Sequence, residues 1–161
     1  MTRGAAQLDT FFERLGRDLQ LSWAGPAGSF SDADLGVVRR IGPTLGVTDI
    51  GVATDLAQAD QLIVNRLITR RGELTSLGHP EYGSRHHELI GEPNTERTRN
   101  LVKLYVLEAL RQEPRIEKVL RCVVRTDPPR PDVVRIELMV RLITSVNPRN
   151  LVVPFGLGGG R

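Results

Sequence analysis

The chain has 161 residues and a mass of 17.8 kDa, which is the size of one ordinary domain. Its single cysteine, Cys122, excludes an internal disulfide framework and a cysteine-based zinc cluster. A net charge of +3 and only 4% aromatic residues argue against an RNA-binding surface or a carbohydrate cleft, because few rings are available for stacking. No apolar run approaches the roughly 20 residues of a membrane span. We therefore expect a cytoplasmic protein without direct membrane insertion.

The N-terminal segment carries apolar residues at helical spacing. Residues 8–21 are predicted to form an amphipathic helix with an apolar face of Leu8, Phe11, Phe12, Leu15 and Leu19. Residues 24–29 are rich in glycine and proline, which is typical of a linker. We expect a helical arm with its linker over residues 1–29, the main domain over residues 30–155, and a flexible glycine-rich tail over residues 156–161.

Short strands and then two long helices are predicted in the middle of the chain. Residues 30–54 contain short apolar runs and glycines, which indicate short strands or loops. The first long helix begins at residue 54 or 55, where either side chain can cap it, and ends near Arg71 just before Gly72. The second begins at residue 94 or 95 and ends before Pro114. A short helix is expected over residues 84–90.

After Pro114 the apolar period changes from helical to two. Alternation over residues 119–125 and 134–142 predicts two strands joined by a proline-rich turn, and residues 151–155 form a third. Helices followed by strands in blocks are typical of an α+β fold. The prediction is a small antiparallel sheet with helices packed on one face.

No catalytic chemistry stands out in the sequence. Three histidines offer the only metal-like cluster, but the adjacent His86 and His87 point to different sides of a helix and no H-E-x-x-H spacing exists. Glycoside hydrolysis needs two carboxylates held in a cleft, and the candidates are Glu73, Glu81, Glu88 and Glu92. Acidic residues this frequent usually only solvate a surface. We predict no catalytic residue, no metal site and no cofactor.

Three short features at predicted turns occur in a fixed order along the chain. Each alone is explained by turn chemistry, because glycine permits tight bends and proline stops a helix. They are Gly72-Glu73, Tyr82-Gly83 and Glu113-Pro114-Arg115.

Taken together, these features resemble the phage baseplate wedge family, which includes phage tail protein W and the TssE subunit of type VI secretion. The resemblance covers residues 55–155, and its most specific element is the triplet Glu113-Pro114-Arg115 at a helix-to-strand junction. It implies a non-enzymatic baseplate subunit of a contractile injection system. The implied partners are the sheath protein, baseplate wedge proteins, and tube or spike and hub proteins, but no nucleic acid.

The resemblance and the sheet pattern together suggest where partners bind. The triplet is a candidate directional contact with a wedge protein, and the residues of the glycine-containing turns are further candidates for partner binding. A sheath strand is expected to extend the sheet, either along residues 116–125 or along the last strand. The candidate partner-binding residues are Gly72, Glu73, Tyr82, Gly83, Glu113, Pro114, Arg115, Leu151, Val152 and Val153.

Two other classes of function stay open at this point. A lysozyme-like cell-wall glycosidase would cleave peptidoglycan with a carboxylate pair. An arginine-rich nucleic-acid-binding module would bind with strong salt dependence, because phosphate contacts release counterions.

Overall fold

A computed structural model describes residues 16–24, 32–41, 46–145 and 147–158. The predicted α+β class is confirmed, and the described residues form two α-helices and antiparallel strands. The chain divides into two compact units, Met1–Leu62 and Ile63–Arg161, and the division falls inside helix α1 (Asp55–Ile68). Among the described residues, no helix is long and apolar enough to cross a membrane.

The described residues of the first unit contain six short strands that pair as three two-stranded antiparallel ribbons. β1 pairs with β6, β2 with β3, and β4 with β5. The strands are β1 (Arg17–Leu19), β2 (Leu21–Ala24), β3 (Asp32–Leu35), β4 (Val37–Ile41), β5 (Gly46–Ile50) and β6 (Val52–Thr54).

The three ribbons meet at Gln20, Gly36 and Gly51, which we call the ribbon junction. Gly36 N–H donates to the Gln20 carbonyl (2.6 Å), Gly51 N–H donates to the Gly36 carbonyl (2.7 Å), and Gln20 N–H donates to the Gly51 carbonyl (2.8 Å). This closed cycle of hydrogen bonds relates the ribbons by an approximate threefold rotation.

Glycine is required at the ribbon junction because the Gln20 side chain fills the space beside it. A Cβ on Gly36 would lie 2.9 Å from Gln20 Cγ, and one on Gly51 would collide with the Gln20 amide. The buried Gln61 of α1 fixes the Gln20 position from its other side. Its Oε1 accepts from Leu21 N–H (2.8 Å) and its Nε2 donates to the Leu19 carbonyl (2.9 Å).

The second unit is built from helix α2 (Glu96–Arg111) and a three-stranded antiparallel sheet in the order β7-β8-β9. The strands are β7 (Ile116–Asp127), β8 (Arg130–Leu142) and β9 (Arg149–Gly156). The Thr95 side chain caps α2 by accepting from Thr98 N–H (3.2 Å). Two short 3-10 helices, Thr75–Leu77 and Arg85–Leu89, lie between α1 and α2.

One face of this sheet forms the core of the second unit. Alternate residues of β8 are buried and pair with inward residues of β9, as in Ile136 with Val153 and Val134 with Phe155. α2 packs against β7 and against the second 3-10 helix. The buried His86 ring meets Phe155 edge-on at 4.4 Å, and this contact joins the 3-10 helix to β9. Burial, and next to it the neighbouring His87, lowers the His86 pKa to about 3, so this ring packs as a neutral group.

The N-terminal prediction is wrong where the structure describes it. β1 and β2 are strands, not the end of a helix over residues 8–21, because their backbone groups bond across to β6 and β3. Residues 1–15 and 25–31 lie outside the described residues, and with them most of the predicted arm and linker. β2 and β3 pair across the boundary predicted between residues 29 and 30.

Other differences concern element ends. α1 stops at Ile68, so Gly72 lies in the following turn and not directly after the helix. At the C terminus, Leu157 is buried and its N–H donates to the Asp132 carbonyl (2.8 Å), although the glycine-rich tail was expected from residue 156. Residues 159–161 lie outside the described residues.

Candidate functional site

The triplet lies where α2 ends and β7 begins. Glu113 is only 3% exposed, and its Oε2 accepts from Arg66 Nη2 (3.0 Å) and Nε (3.3 Å). Its Oε1 accepts from the N–H and the Nη1 of Arg115, both at 3.3 Å. Both oxygens of this buried carboxylate have guanidinium hydrogen-bond partners. The Glu113 side chain is therefore engaged inside the chain, and its predicted part in partner binding stays a prediction.

Tyr82 extends this arrangement through Arg66. The Arg66 guanidinium carbon lies 4.5 Å from the centre of the Tyr82 ring, which is a cation–π geometry. One connected network thus joins Tyr82, Arg66, Glu113 and Arg115, and we call it the triplet network. Within the triplet itself, Pro114 is exposed and the Arg115 side chain is about one-third exposed.

The glycine-containing turns are closed by backbone contacts. Gly83 has a φ of +100°, and a Cβ there would lie 2.7 Å from the Arg70 carbonyl carbon and oxygen. This close approach allows Ser84 N–H to donate to the Thr69 carbonyl (2.9 Å). Gly72 has a φ of +86°, and a Cβ there would lie 3.8 Å from the Thr75 hydroxyl, an ordinary van der Waals contact. The next residue, Glu73, accepts from Arg70 N–H (2.9 Å). Gly83 was correctly predicted as a turn glycine, whereas Gly72 was predicted to follow the helix directly and lies in the turn beyond it.

Arg71 connects the same turns to α2. Its guanidinium donates to Glu81 and, at 2.7 Å, to Glu108. These hydrogen bonds, the one to Glu81 first, raise the Arg71 pKa. The turns that hold Gly72 and Gly83 are therefore held by charge pairs as well as by backbone bonds.

β9 forms one edge of the second-unit sheet, since no further described strand pairs with it. Val153 is buried, Leu151 is half-buried and Val152 is 53% exposed. Pro154 has no N–H, and a proline in a regular ladder must turn its nitrogen away from the neighbouring strand. Because backbone direction alternates, the N–H groups of Asn150 and Val152 also point outward from β8.

Three of the four carboxylates considered for catalysis, those of Glu73, Glu81 and Glu88, are engaged in ion pairs or backbone bonds. Glu81 pairs with Arg71, and the Arg85 hydrogen bond lowers the Glu88 pKa. Hydrogen bonds from Arg135 and then from Arg130 lower the pKa of Asp127. No group of three or more metal-ligating side chains is gathered among the residues that the structure describes.

The fold and its site define a small α+β domain with an open sheet edge and a salt-bridged helix-to-strand junction. The model of the family described as baseplate wedge protein gp25 matches residues 53–147, more than half of the chain. The chain belongs to this family, as the resemblance had indicated. Membership supports a structural role in the baseplate of a phage-tail-like particle, in association with other baseplate components.

One solved structure similar to this chain is that of a candidate tail lysozyme from Geobacter sulfurreducens. It is 26% identical, with a TM-score of 0.55, and the match covers 63% of this chain and 90% of that one. No curated protein matches this chain significantly.

Sequence reasoning missed two features of the functional surfaces. The partner of Glu113 is Arg66, 47 residues earlier, and a spacing of that length carries no local signal. The ribbon junction was also missed, although a signal for it exists. Three short segments repeat an aspartate, an apolar residue, a junction residue and a second apolar residue, namely residues 18–21, 34–37 and 49–52.

Proposed function

We propose that this chain is a non-enzymatic baseplate subunit of a contractile injection system, that it joins wedge proteins, and that it starts sheath polymerisation by strand addition. Family membership supports the baseplate role. The observation that carries the finer proposal is the outer edge of β9, where backbone donors and acceptors face away from β8. An incoming strand that pairs there gains main-chain hydrogen bonds, and neighbouring side chains set its register.

The two edges of the sheet differ in how well they suit strand addition. β7 has register shifts at three places against β8, after Ile116, after Val119 and after Thr126. Such bulges twist a strand and interrupt regular pairing. β9 pairs with β8 over eight residues without a shift. We therefore favour β9 as the edge that accepts the sheath strand.

Side chains on β9 give the added strand its specificity. Val152 is exposed and lies directly opposite Glu137 of the central strand β8. An incoming strand would therefore meet an apolar side chain with a carboxylate next to it. Leu151 and Val153 face the core, and their packing holds β9 in place. An incoming strand would cover Val152, and Pro154 would limit pairing to the part of the edge that precedes it.

The wedge contact is proposed at the exposed part of the triplet. Glu113 fixes the Arg115 backbone and guanidinium from inside, while Pro114 restricts the local φ. Arg115 is thereby held in a defined direction with part of its side chain in solvent. A preorganised arginine loses less conformational entropy when it pairs with a partner carboxylate.

The test is Val152→Pro, which removes an outward N–H without touching the ladder to β8. Val152→Thr is the matched control, because it keeps the N–H and the β-branched shape. We expect both variants to keep the wild-type melting transition. Electron microscopy of assembled particles should show naked tubes with the proline variant and sheathed tubes with the threonine variant.

A second substitution separates the two edges. Because the Val152 N–H points away from β8, the N–H and C=O groups of its partner Glu137 point toward β7. Val123 pairs with Glu137, so its N–H lies between β7 and β8, and the N–H of the next residue, Val124, points outward. Val124→Pro is therefore the equivalent change on the other edge. If folded Val152→Pro still assembles full-length sheaths, the sheath does not start at β9. If sheaths are lost only with Val124→Pro, the sheath starts at β7 instead.

A further inference from the structure

The ribbon junction carries a ring of six apolar residues on one face. Residues directly opposite in an antiparallel pair share a face, and so do residues two apart in an extended chain. Here the residues two apart lie on either side of a junction residue, whose N–H bonds to the next ribbon as a ladder residue would. Around the junction, pairs of directly opposite residues alternate with pairs two positions apart, and the last residue of the series lies opposite the first. The ring, in order, is Leu19, Leu21, Leu35, Val37, Ile50 and Val52.

The fold does not explain why this ring is apolar. Five of its six members are between 42% and 67% exposed, and Leu21 is half-buried. The aspartates of the four-residue repeat, by contrast, make local hydrogen bonds. Asp18, Asp34 and Asp49 each accept from the N–H of the residue that follows, at 2.7–2.9 Å. The aspartates and the glycines build the junction, whereas the apolar ring is left on its surface.

The two faces of the junction differ in charge. The strand period places Arg17 and Arg39 on the face of the ring, just outside it, and places the three repeat aspartates on the opposite face. An exposed apolar centre with a polar rim is typical of a protein-binding surface. A second copy placed face to face would bring like charges together, which disfavours self-association. The rim instead suits a partner with acidic side chains.

The approximate threefold symmetry indicates the form of that partner. A true threefold axis presents three identical side chains at equal distances, and the ring offers an equivalent apolar pair to each of them. A partner without this symmetry would use one ribbon, and the repetition would serve no purpose. We propose that the ring binds the end of a homotrimeric protein, whose three chains each present an apolar side chain, with carboxylates outside these side chains that face Arg17 and Arg39.

This inference is independent of sheath seeding. The family match begins at residue 53, just after the last member of the ring, and the ring shares no residue with β7, β8 or β9. If the ring proves to have no partner, the strand-addition proposal still stands.

The experiment uses the full chain and each homotrimeric protein of the same particle, purified separately. Native mass spectrometry is expected to show one copy of this chain bound to one trimer. Val37→Asp should weaken that complex about tenfold or more, since Val37 is the most exposed member of the ring. Leu77→Asp is the matched control, because Leu77 is 70% exposed and lies outside the ring.

A charge exchange then tests the rim. Arg39→Glu should weaken binding, and lysine in place of the trimer's facing carboxylate should restore it. Three outcomes would overturn the proposal: no homotrimer of the particle binds, the complex contains one partner chain per copy, or Val37→Asp and Leu77→Asp bind alike. Self-association through the ring, lost in Val37→Asp, would also overturn it in favour of a second copy.

Discussion

At the scale of single residues, the triplet combines a buried part and an exposed part. Glu113 lies inside the second unit, and its carboxylate satisfies Arg66 and Arg115 together. Arg115 is one-third exposed, so its loss removes only a partly solvated ion pair. The two charged residues of the triplet should therefore respond very differently to substitution.

We predict that Glu113→Gln destabilises the protein and that Arg115→Ala does not. Breaking a buried ion pair leaves the remaining charge without compensation, which costs about 3–5 kcal/mol. An exposed pair contributes only about 0–1 kcal/mol. Urea denaturation followed by circular dichroism measures both effects.

The same two variants test the wedge contact. Folded Arg115→Ala should fail to co-purify with wedge proteins, and Arg115→Lys should restore part of the binding because it keeps the charge. If Arg115→Ala joins a complete baseplate, the contact lies elsewhere. If it unfolds like Glu113→Gln, the role of Arg115 is internal.

At the scale of elements, the sequence predicted a helix or strand correctly where its apolar periodicity extended over enough residues. α2, β7 and β8 have 12 to 16 residues each, and their apolar patterns predicted them. β1 and β2 have three and four residues, which is too short to show alternation, so the upstream helical spacing dominated the prediction. The buried partner of Glu113 was not predictable, because long-range pairing follows from packing and not from local pattern.

The turn before the second 3-10 helix supplies a prediction about backbone approach. Gly83 and Gly91 have φ values of +100° and +95°, but only Gly83 lies against other backbone atoms. Gly91→Ala should cost about 1–2 kcal/mol for the left-handed conformation alone. Gly83→Ala should cost about 1–3 kcal/mol more, because the added Cβ would collide with backbone atoms of Arg70 and Thr69, which cannot rotate away as a flexible side chain can.

Thermal melting of the two alanine variants checks this difference. Equal destabilisation would show that the close approach to Arg70 does not hold the turn. A larger loss for Gly83→Ala, with no change in the helical signal of α2, would place the effect in the turn itself.

At the scale of the whole molecule, many of the arginines are engaged in internal ion pairs. Eight of those in the described part of the chain lie within 4.0 Å of a carboxylate, and a paired arginine is less available to form a phosphate-binding stripe. They are Arg66, Arg71, Arg85, Arg115, Arg125, Arg130, Arg135 and Arg141. This distribution favours an assembly subunit over a nucleic-acid-binding module.

The last prediction concerns hydrolysis, because a structurally similar protein is described as a candidate tail lysozyme. A glycosidase needs a general acid whose pKa is raised, beside a second carboxylate in a cleft. Here arginines lower the pKa of Glu88 and Asp127, and Glu81 is paired with Arg71. Purified protein incubated with peptidoglycan should therefore release no muropeptides, with hen egg-white lysozyme as the positive control. Release that disappears in Glu73→Gln or Glu81→Gln would overturn the structural role, whereas release that survives both would point to a contaminating enzyme.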